Sequence, residues 1–391
     1  MTKLRIAVYA ADNGGCGKYR LDWPAKAVND AFDDVEVLYG DTRPNIVLKW
    51  REAMARTDRT EWATLSDAYT ESPVDVVVFQ RPLSRVMVMA IELLRKRGIG
   101  IVIDLDDNFD LIDPQNVAWF GAAPYWHNPD QVQAYIKRYG RVNIAKQSAD
   151  EQWFYLPDHR GSHHRGNVHE ALKHAHIFTA STPSIRNHYR ARESMLVRNH
   201  IPARFLDITE ERDGQTLGWT GTVATHPGDF RPIGAGLKLA KASTNFKFKI
   251  VGYPEGFYER TSVEPDESTG WVDISQYPHE YAKLDAVICP LDDQQFNSSK
   301  SWLKPLEAAA LGVVPIMTPT PEYEEINKLG IGVLAGKPKQ WDRQITKVMG
   351  DPSYRAELAV AGKEVAKTLT IEGNAHLWYN AWKRAAELAK E

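Results

Sequence analysis

Short, continuously apolar runs alternate along this chain with runs of helical spacing. In the first part the apolar runs cover residues 4–10, 35–39, 74–79 and 99–105, and helical spacing covers 20–32 and 83–97. Further along, helix and strand alternate at 168–175, 177–180, 182–191 and 194–198. Buried strands that alternate with helices predict a parallel sheet covered on both faces.

The second part repeats this arrangement after a linker at 199–208. Apolar runs cover 216–219, 246–251, 286–290 and 313–317, and helical patterns cover 231–242, 278–284, 338–349, 352–368 and 372–390. Residues 110–165 are aromatic, polar and weakly periodic, which indicates an irregular insertion. The pattern therefore predicts two Rossmann-like halves, each with its ligand edge at the carboxyl ends of the strands.

Bulk properties narrow the class of protein. A chain of 391 residues suits two domains, and a net charge of −3 carries no general nucleic-acid signature. The two cysteines, Cys16 and Cys289, fall in different predicted domains, which fits a reducing compartment. We find no signal-peptide layout and no apolar run of about 20 residues, so we expect a cytoplasmic protein without a membrane span.

The most informative segment is 300–317, KSWLKPLEAAALGVVPIM. It predicts a helix with Pro305 at its first position and a stop at Gly312, followed by a buried strand. Lys300 and Lys304 add two ammonium groups to the helix N-terminus, which favours a bound anion. Glu307, one turn on, is suited to accept hydroxyl hydrogen bonds. A diphosphate with nearby hydroxyls describes a nucleotide sugar.

This segment resembles the donor-binding segment of GT-B glycosyltransferases of the family-4-like, group 1 type, as found in bacteriophages and actinobacteria. The run AAALGVVPI after Glu307 matches the family pattern, and VRNHIPARF matches the segment at its domain junction. The family usually carries a second glutamate eight residues before the first, where this chain has Ser299.

The resemblance implies an α/β GT-B fold with two Rossmann-like domains that face a cleft. The acceptor domain would cover 1–200, with the insertion at 110–165. The donor domain would cover 201–370, and a C-terminal helix at 371–391 would cross back to the first domain. It also implies a UDP- or GDP-sugar donor held without a divalent metal, and action in the cytoplasm (the host cytoplasm for a viral member).

Two glycine-containing loops are further candidates for donor binding. Gly14, Gly15 and Gly17 follow the first strand and allow close backbone approach to a phosphate or sugar, although their spacing is not GxGxxG. A flexible turn is the alternative. Thr220 and Gly221 end the first strand of the second domain, where the family brings a loop to the donor phosphates.

Three carboxylates end the fourth strand of the first domain. We expect Asp104 to make a structural hydrogen bond, and Asp106 or Asp107 to act as the general base that takes the acceptor proton. A capping role is the alternative, and binding of a divalent metal is less favoured. Together with Glu307 these two aspartates are the candidate catalytic residues. Arg81, at the end of the third strand, would contact acceptor or phosphate, or form a surface salt bridge.

The acceptor side is less defined. Trp119 and Trp126 offer aromatic faces for stacking on a sugar or a base. Residues 160–204 hold eight Lys or Arg and two acidic residues, which would suit a DNA acceptor, but a solvated face explains the same pattern and is favoured. Six of the 12 histidines lie between His159 and His176 without a zinc-site spacing, so we expect no metal.

These observations favour a hexosyl- or pentosyltransferase that moves a sugar to an acceptor hydroxyl on a protein, a glycan or a modified DNA base. Whether it inverts or retains the anomeric configuration stays open. The alternatives are a non-catalytic GT-B module that binds sugar or nucleic acid, and a nucleotide-sugar epimerase.

Overall fold

The computed structural model describes residues 3–46, 48–50, 63–65, 73–112, 164–223 and 228–391. They form two compact units. The first comprises Met1–Arg198 together with Ala375–Glu391, and the second comprises Asn199–Asn374. Each unit is built on its own six-stranded parallel sheet. The predicted α/β fold with two Rossmann-like halves is therefore confirmed.

The first unit has strand order β2-β1-β5-β6-β7-β8. Its strands are β1 (Leu4–Tyr9), β2 (Val35–Leu38), β5 (Val76–Gln80), β6 (Gly100–Leu105), β7 (Ile177–Ala180) and β8 (Glu193–Leu196), with a separate antiparallel pair, β3 (Leu48–Trp50) and β4 (Ala63–Leu65). Its helices are α1 (Gly15–Gly17), α2 (Trp23–Ala31), α3 (Arg85–Lys96), α4 (His164–His174), α5 (Pro183–His188) and α13 (His376–Leu388). Every residue of β5, β6 and β7 is buried, as their apolar sequences predict.

The helix after β1 begins earlier than the sequence pattern predicts. A π-helical turn, Lys18–Asp22, joins α1 to α2, so Gly15 and Gly17 are helical and the predicted start of this helix at residue 20 is wrong. The cause is local: the Asp12 carboxylate accepts hydrogen bonds from the N–H groups of Gly14 and Gly17, at 2.9 and 3.1 Å. This caps the first turn.

The C-terminal helix α13 packs on the first unit's sheet, as predicted. Trp378 and Trp382 are each 1% exposed, and the Trp378 indole N–H donates to the carbonyl of Arg20 at 3.0 Å. The helix lies so close to β6 that a Cβ atom at Gly100 would stand 2.8 Å from the carbonyl oxygen of Ala385.

The second unit has strand order β11-β10-β9-β12-β13-β14, the Rossmann order 3-2-1-4-5-6. Its strands are β9 (Thr216–Thr222), β10 (Lys247–Tyr253), β11 (Glu267–Ser268), β12 (Ala286–Cys289), β13 (Val314–Met317) and β14 (Val333–Leu334). Its helices are α6 (Gly236–Thr244), α7 (Phe257–Thr261), α8 (Tyr277–Ala282), α9 (Leu303–Ala310), α10 (Pro321–Lys328), α11 (Pro338–Gly350) and α12 (Pro352–Thr368). An aromatic core of Trp219, Phe230, Phe248 and Phe257 fills one face.

Candidate functional site

Strand order places a crevice in each sheet. In the first unit, successive strands are added towards one edge of the sheet up to β2 and towards the other edge from β5 onwards, so the strand order reverses between β1 and β5. In the second unit it reverses in the same way between β9 and β12. At such a switch point the loops after the two central strands diverge and leave room for a ligand. The candidate residues gather at these two places, one group in each unit.

In the second unit, Lys304 lies against the end of β9. Its ammonium donates to the carbonyl oxygen of Thr220 at 3.0 Å and stands 5.1 Å from the centre of the Trp219 ring. It is also 3.5 Å from where a Cβ atom at Gly221 would be. The structure therefore brings Thr220, Gly221 and Lys304 together, as expected for a phosphate-binding group.

Lys300 adds a second positive charge to this group. Its ammonium stands over the Phe296 ring, 4.3 Å from the ring centre. Burial lowers the pKa of Lys304, and the neighbouring charge of Lys300 lowers it further, partly offset by acidic neighbours that include Asp229 and Glu307. The two positive charges repel each other, and a bound anion would stabilise the charged form of both ammonium groups. The pair therefore favours an anion site.

Glu307 lies in α9, the helix that also carries Lys304, and its side chain is buried at 3% exposure. The hydroxyl of Tyr277 lies 3.2 Å from its Oε2 atom. Helix α9 begins at Leu303, so Pro305 occupies the third position and not the predicted first. Proline is tolerated there because the first four N–H groups of a helix have no partner within it.

Two glycines leave the end of β9 open to close approach. Gly221 and Gly252 are register partners on β9 and β10, with φ of 133° and 138°. A Cβ atom at Gly252 would stand 1.9 Å from the carbonyl oxygen of Gly221, so no other residue fits. Sequence reasoning found Gly221 and missed Gly252.

A buried polar network next to this group was also missed. Asp229 is 3% exposed and accepts hydrogen bonds from the Asn297 side chain at 2.7 Å and from the backbone N–H of Asp292 at 3.2 Å. It fixes the loop between β12 and α9, which carries Ser299, buried at 1% exposure. No sequence pattern links Asp229 to Asn297.

In the first unit, Arg81 joins the loops at the switch point. Its guanidinium donates to both carboxylate oxygens of Asp106, at 2.5 and 2.6 Å, to Asp107 at 3.3 Å, and to the Cys16 sulfur at 3.1 Å. Burial would lower the pKa of Arg81, but the charge of Asp106 and its other acidic neighbours raise it well above its ordinary value. Burial, with the charge of Asp106, raises the pKa of Cys16 to about 12, so the thiol is protonated.

Arg81 holds this position at a backbone cost. Its φ of 51° is left-handed, which is uncommon for a residue with a long side chain. Such strain persists where the surroundings over-determine it, often at functional sites. The predicted base Asp106 is thus engaged at both oxygens, whereas Asp107 has the longer contact and a more exposed side chain, 24% against 8%.

Asp104 is structural, as predicted. It is 1% exposed and pairs with Arg20 and with the Thr179 hydroxyl, which donates at 2.7 Å. The glycines after β1 also have local roles: the N–H groups of Gly14 and Gly17 are bonded to Asp12, and a Cβ atom at Gly17 would stand 1.9 Å from the Asp12 carbonyl oxygen. Donor binding by Gly14, Gly15 and Gly17 stays a prediction.

Some candidates fall elsewhere. Trp119 and Trp126, with most of the insertion at 110–165, lie outside the described residues. Within the part of the basic stretch that the structure describes, Arg192 pairs with Glu391 at 2.6 Å.

Among the described residues, Glu92, Glu170 and His174 are grouped closely enough to hold a metal ion, but Lys173 already pairs with Glu170 at 2.6 Å. No helix in the described parts of the chain is long and apolar enough to cross a membrane.

Comparison with known proteins supports the resemblance drawn from sequence. Residues 235–378 match a protein family described as glycosyl transferase-like, and this match includes Lys300, Lys304 and Glu307. Among curated proteins, none is significantly similar to the chain in sequence.

Solved structures extend the likeness to the whole fold. Sucrose-phosphate synthase from Thermosynechococcus elongatus is 12% identical, with a TM-score of 0.55 over 97% of this chain and 98% of that one. Anabaena HepE in complex with UDP is 11% identical, with a TM-score of 0.57 over 97% of this chain and 99% of that one. The GT-B fold and the resemblance to GT-B glycosyltransferases are confirmed. The family match supports glycosyl transfer in general.

Proposed function

We propose that this protein is a nucleotide-sugar-dependent glycosyltransferase that moves a hexosyl or pentosyl group from a UDP- or GDP-linked donor to an acceptor hydroxyl. The observation that carries the proposal is the contact of Lys304 with Thr220 at the switch point of the second sheet, beside Glu307. A structural neighbour, HepE, has been solved with UDP and with UDP and glucose.

The second unit would hold the donor. Lys300 and Lys304 would neutralise the diphosphate as it leaves, which is electrostatic stabilisation at the place where charge develops. Gly221 and Gly252 present backbone without side chains, so that the phosphates can come close to β9. Glu307 would accept hydrogen bonds from donor hydroxyls. None of these roles needs a divalent metal.

The first unit would hold the acceptor, with Arg81 as a contact. If the enzyme inverts, Asp107 is the better base, because Asp106 already accepts two hydrogen bonds from Arg81. A retaining enzyme would need neither carboxylate for this step. The acceptor would be a protein, a glycan or a modified DNA base.

A second candidate is a non-catalytic module that binds a nucleotide sugar. It is favoured by two observations: Ser299 stands where the family carries a glutamate, and Asp106 is tied to Arg81. The module would bind the same donor without cleaving it.

Donor hydrolysis separates the two candidates. Purified protein is incubated with UDP-glucose, UDP-galactose, GDP-mannose or a UDP-pentose, and released nucleoside diphosphate is measured over hours. A glycosyltransferase releases it slowly even without its acceptor, and Lys304→Met abolishes this release. If a donor binds but no donor releases nucleoside diphosphate, the non-catalytic module is favoured. If no donor binds, both candidate functions are rejected.

A further inference from the structure

Tyr277 makes a contact that sequence reasoning did not find. Its hydroxyl lies 3.2 Å from the Oε2 atom of Glu307 and 3.3 Å from the hydroxyl oxygen of Thr220. Tyr277 thus reaches two candidate donor-binding residues that are 87 positions apart in the sequence. Thr220 lies near the carboxyl end of β9, and Glu307 lies in α9, which follows β12. The phenol therefore bridges the two sides of the switch point.

The phenol is a permanent hydrogen-bond donor. Burial raises the pKa of Tyr277 well above its ordinary value, and the charge of Glu307 raises it further. The hydroxyl therefore stays protonated at neutral pH and donates to the carboxylate. A hydrogen bond to a charged group is stronger than one between neutral groups and has better-defined geometry.

Helix α8 holds Tyr277 firmly. Tyr281, one turn later, donates its hydroxyl to the carbonyl oxygen of Lys304 at 3.1 Å, and the two tyrosine rings meet edge to face at 5.6 Å. The two tyrosines of α8 thus contact α9 at two points, Glu307 and the backbone of Lys304. These contacts fix the first turn of α9 and the Glu307 carboxylate relative to α8.

We infer that Tyr277 is a positioning residue, which sets the orientation in which the Glu307 carboxylate accepts a hydroxyl of the nucleotide-sugar donor. The inference rests on the proposed function. A carboxylate accepts about four hydrogen bonds, and Tyr277 supplies one of them. The phenol fixes the carboxylate before the donor arrives, so less ordering is needed on binding.

The test is the isosteric variant Tyr277→Phe, titrated calorimetrically with inorganic pyrophosphate, UDP and UDP-glucose. We expect the affinity for UDP, UDP-glucose or both to fall about tenfold, while pyrophosphate, which has no hydroxyl-bearing sugar, binds as in the wild type. An effect that is present with UDP identifies a ribose hydroxyl, and one seen only with UDP-glucose identifies the transferred sugar. In turnover, KM rises and kcat changes little, because the lost contact is made equally before and during reaction.

Two further variants keep the result interpretable. Tyr354→Phe, which removes a tyrosine hydroxyl elsewhere in the second unit, is expected to bind all three ligands normally. In a Glu307→Ala background, which has no side-chain acceptor, Tyr277→Phe is expected to add little, because each change removes the same hydrogen bond.

Three outcomes would overturn the inference. The first is unchanged affinity of Tyr277→Phe for every ligand, and the second is an equal loss for pyrophosphate, which would indicate a general structural role. The third is full additivity with Glu307→Ala. Wild-type protein that binds pyrophosphate but neither UDP nor UDP-glucose, nor any other nucleotide sugar, would instead remove the proposed function, and the inference with it.

Discussion

Arg20 and Asp104 form a two-point ion pair in the core of the first unit. The guanidinium Nε and Nη2 atoms donate to the two carboxylate oxygens at 3.0 and 2.6 Å, and both side chains are 1% exposed. Arg20 also donates to the carbonyl of Val197 at 2.6 Å. The pair joins the helix after β1 to the end of β6, next to the loop that carries Asp106 and Asp107.

Asp104→Asn is expected to destabilise the first unit by about 3–5 kcal/mol, because it leaves the buried Arg20 charge without its partner. Urea unfolding followed by circular dichroism measures the change. Lys26→Gln is the matched control: its pair with Asp30 is more than 60% exposed on both sides, so we expect a loss below about 1 kcal/mol. Equal effects of the two variants would contradict the structural role of Asp104.

His176 is expected to make stability depend on pH. Its Nδ1 atom accepts a hydrogen bond from the N–H of Ile101 at 2.9 Å, which requires an unprotonated nitrogen. Burial, with the charges of Arg95 and Arg192, lowers its pKa from 6.5 to about 4. The unfolded chain binds more protons than the folded chain between these values, so stability rises with pH across that window.

Replacing the His176 imidazole should therefore make the free energy of unfolding depend less on pH. We expect His176→Gln to lose most of the rise in unfolding free energy between pH 4 and 6.5 that the wild type shows. His279→Gln is the control, since that histidine lies at the surface beside Glu210. An unchanged slope in His176→Gln would show that another group dominates.

Gly252→Ala is expected to distort the end of β9 and to weaken donor binding by the second unit. The added methyl would meet the carbonyl of Gly221 at 1.9 Å, and φ of 138° is strained for alanine. We expect the end of β9 to move and donor affinity to fall at least tenfold, a loss of about 1.4 kcal/mol or more. Gly350→Ala, with ordinary contact to Thr244 at 3.6 Å, is expected to bind donor normally. Normal donor affinity in Gly252→Ala would argue against close backbone approach.

How much the sequence predicts depends on the range of the interactions. Continuous apolar runs such as VVVFQ and GIVIDL identify buried parallel strands, so the sheets could be predicted. The two-residue strand Val333–Leu334 is too short to show a period and was missed with the helix before it, Pro321–Lys328. The early start of the helix at Gly15 depends on a side-chain cap that periodicity does not reveal.

Residue type and helix position identified Lys304 and Glu307 as candidates, and the structure places both beside Thr220 or Tyr277. Their roles in donor binding stay predictions. What sequence could not supply were pairings between distant segments. Arg81 and Asp106 are 25 residues apart, and their pairing changes which aspartate suits a base. Tyr277 and Glu307 are 30 residues apart, and nothing in the sequence pattern identifies Tyr277 as a partner of Glu307.

DNA binding is expected to be weak. Within the described part of the predicted basic stretch, Arg192 is paired with Glu391, which neutralises part of the positive charge of the stretch. Gel-shift titration with duplex DNA at about 50 and about 200 mM salt tests this, because phosphate contacts make affinity fall steeply with salt. Tight, salt-sensitive binding that Arg190→Glu abolishes would identify DNA as the acceptor.

The most direct test of the central claim is calorimetric titration of wild type, Lys304→Met and Lys347→Met with a panel of UDP- and GDP-sugars. The proposed donor site predicts that at least one nucleotide sugar binds the wild type, and that Lys304→Met weakens it by about 1.5–3 kcal/mol through loss of a charge-assisted contact. Lys347→Met, which removes a lysine that lies over Tyr354 in the same unit, should bind like the wild type. Equal donor affinity in wild type and Lys304→Met would contradict the assignment.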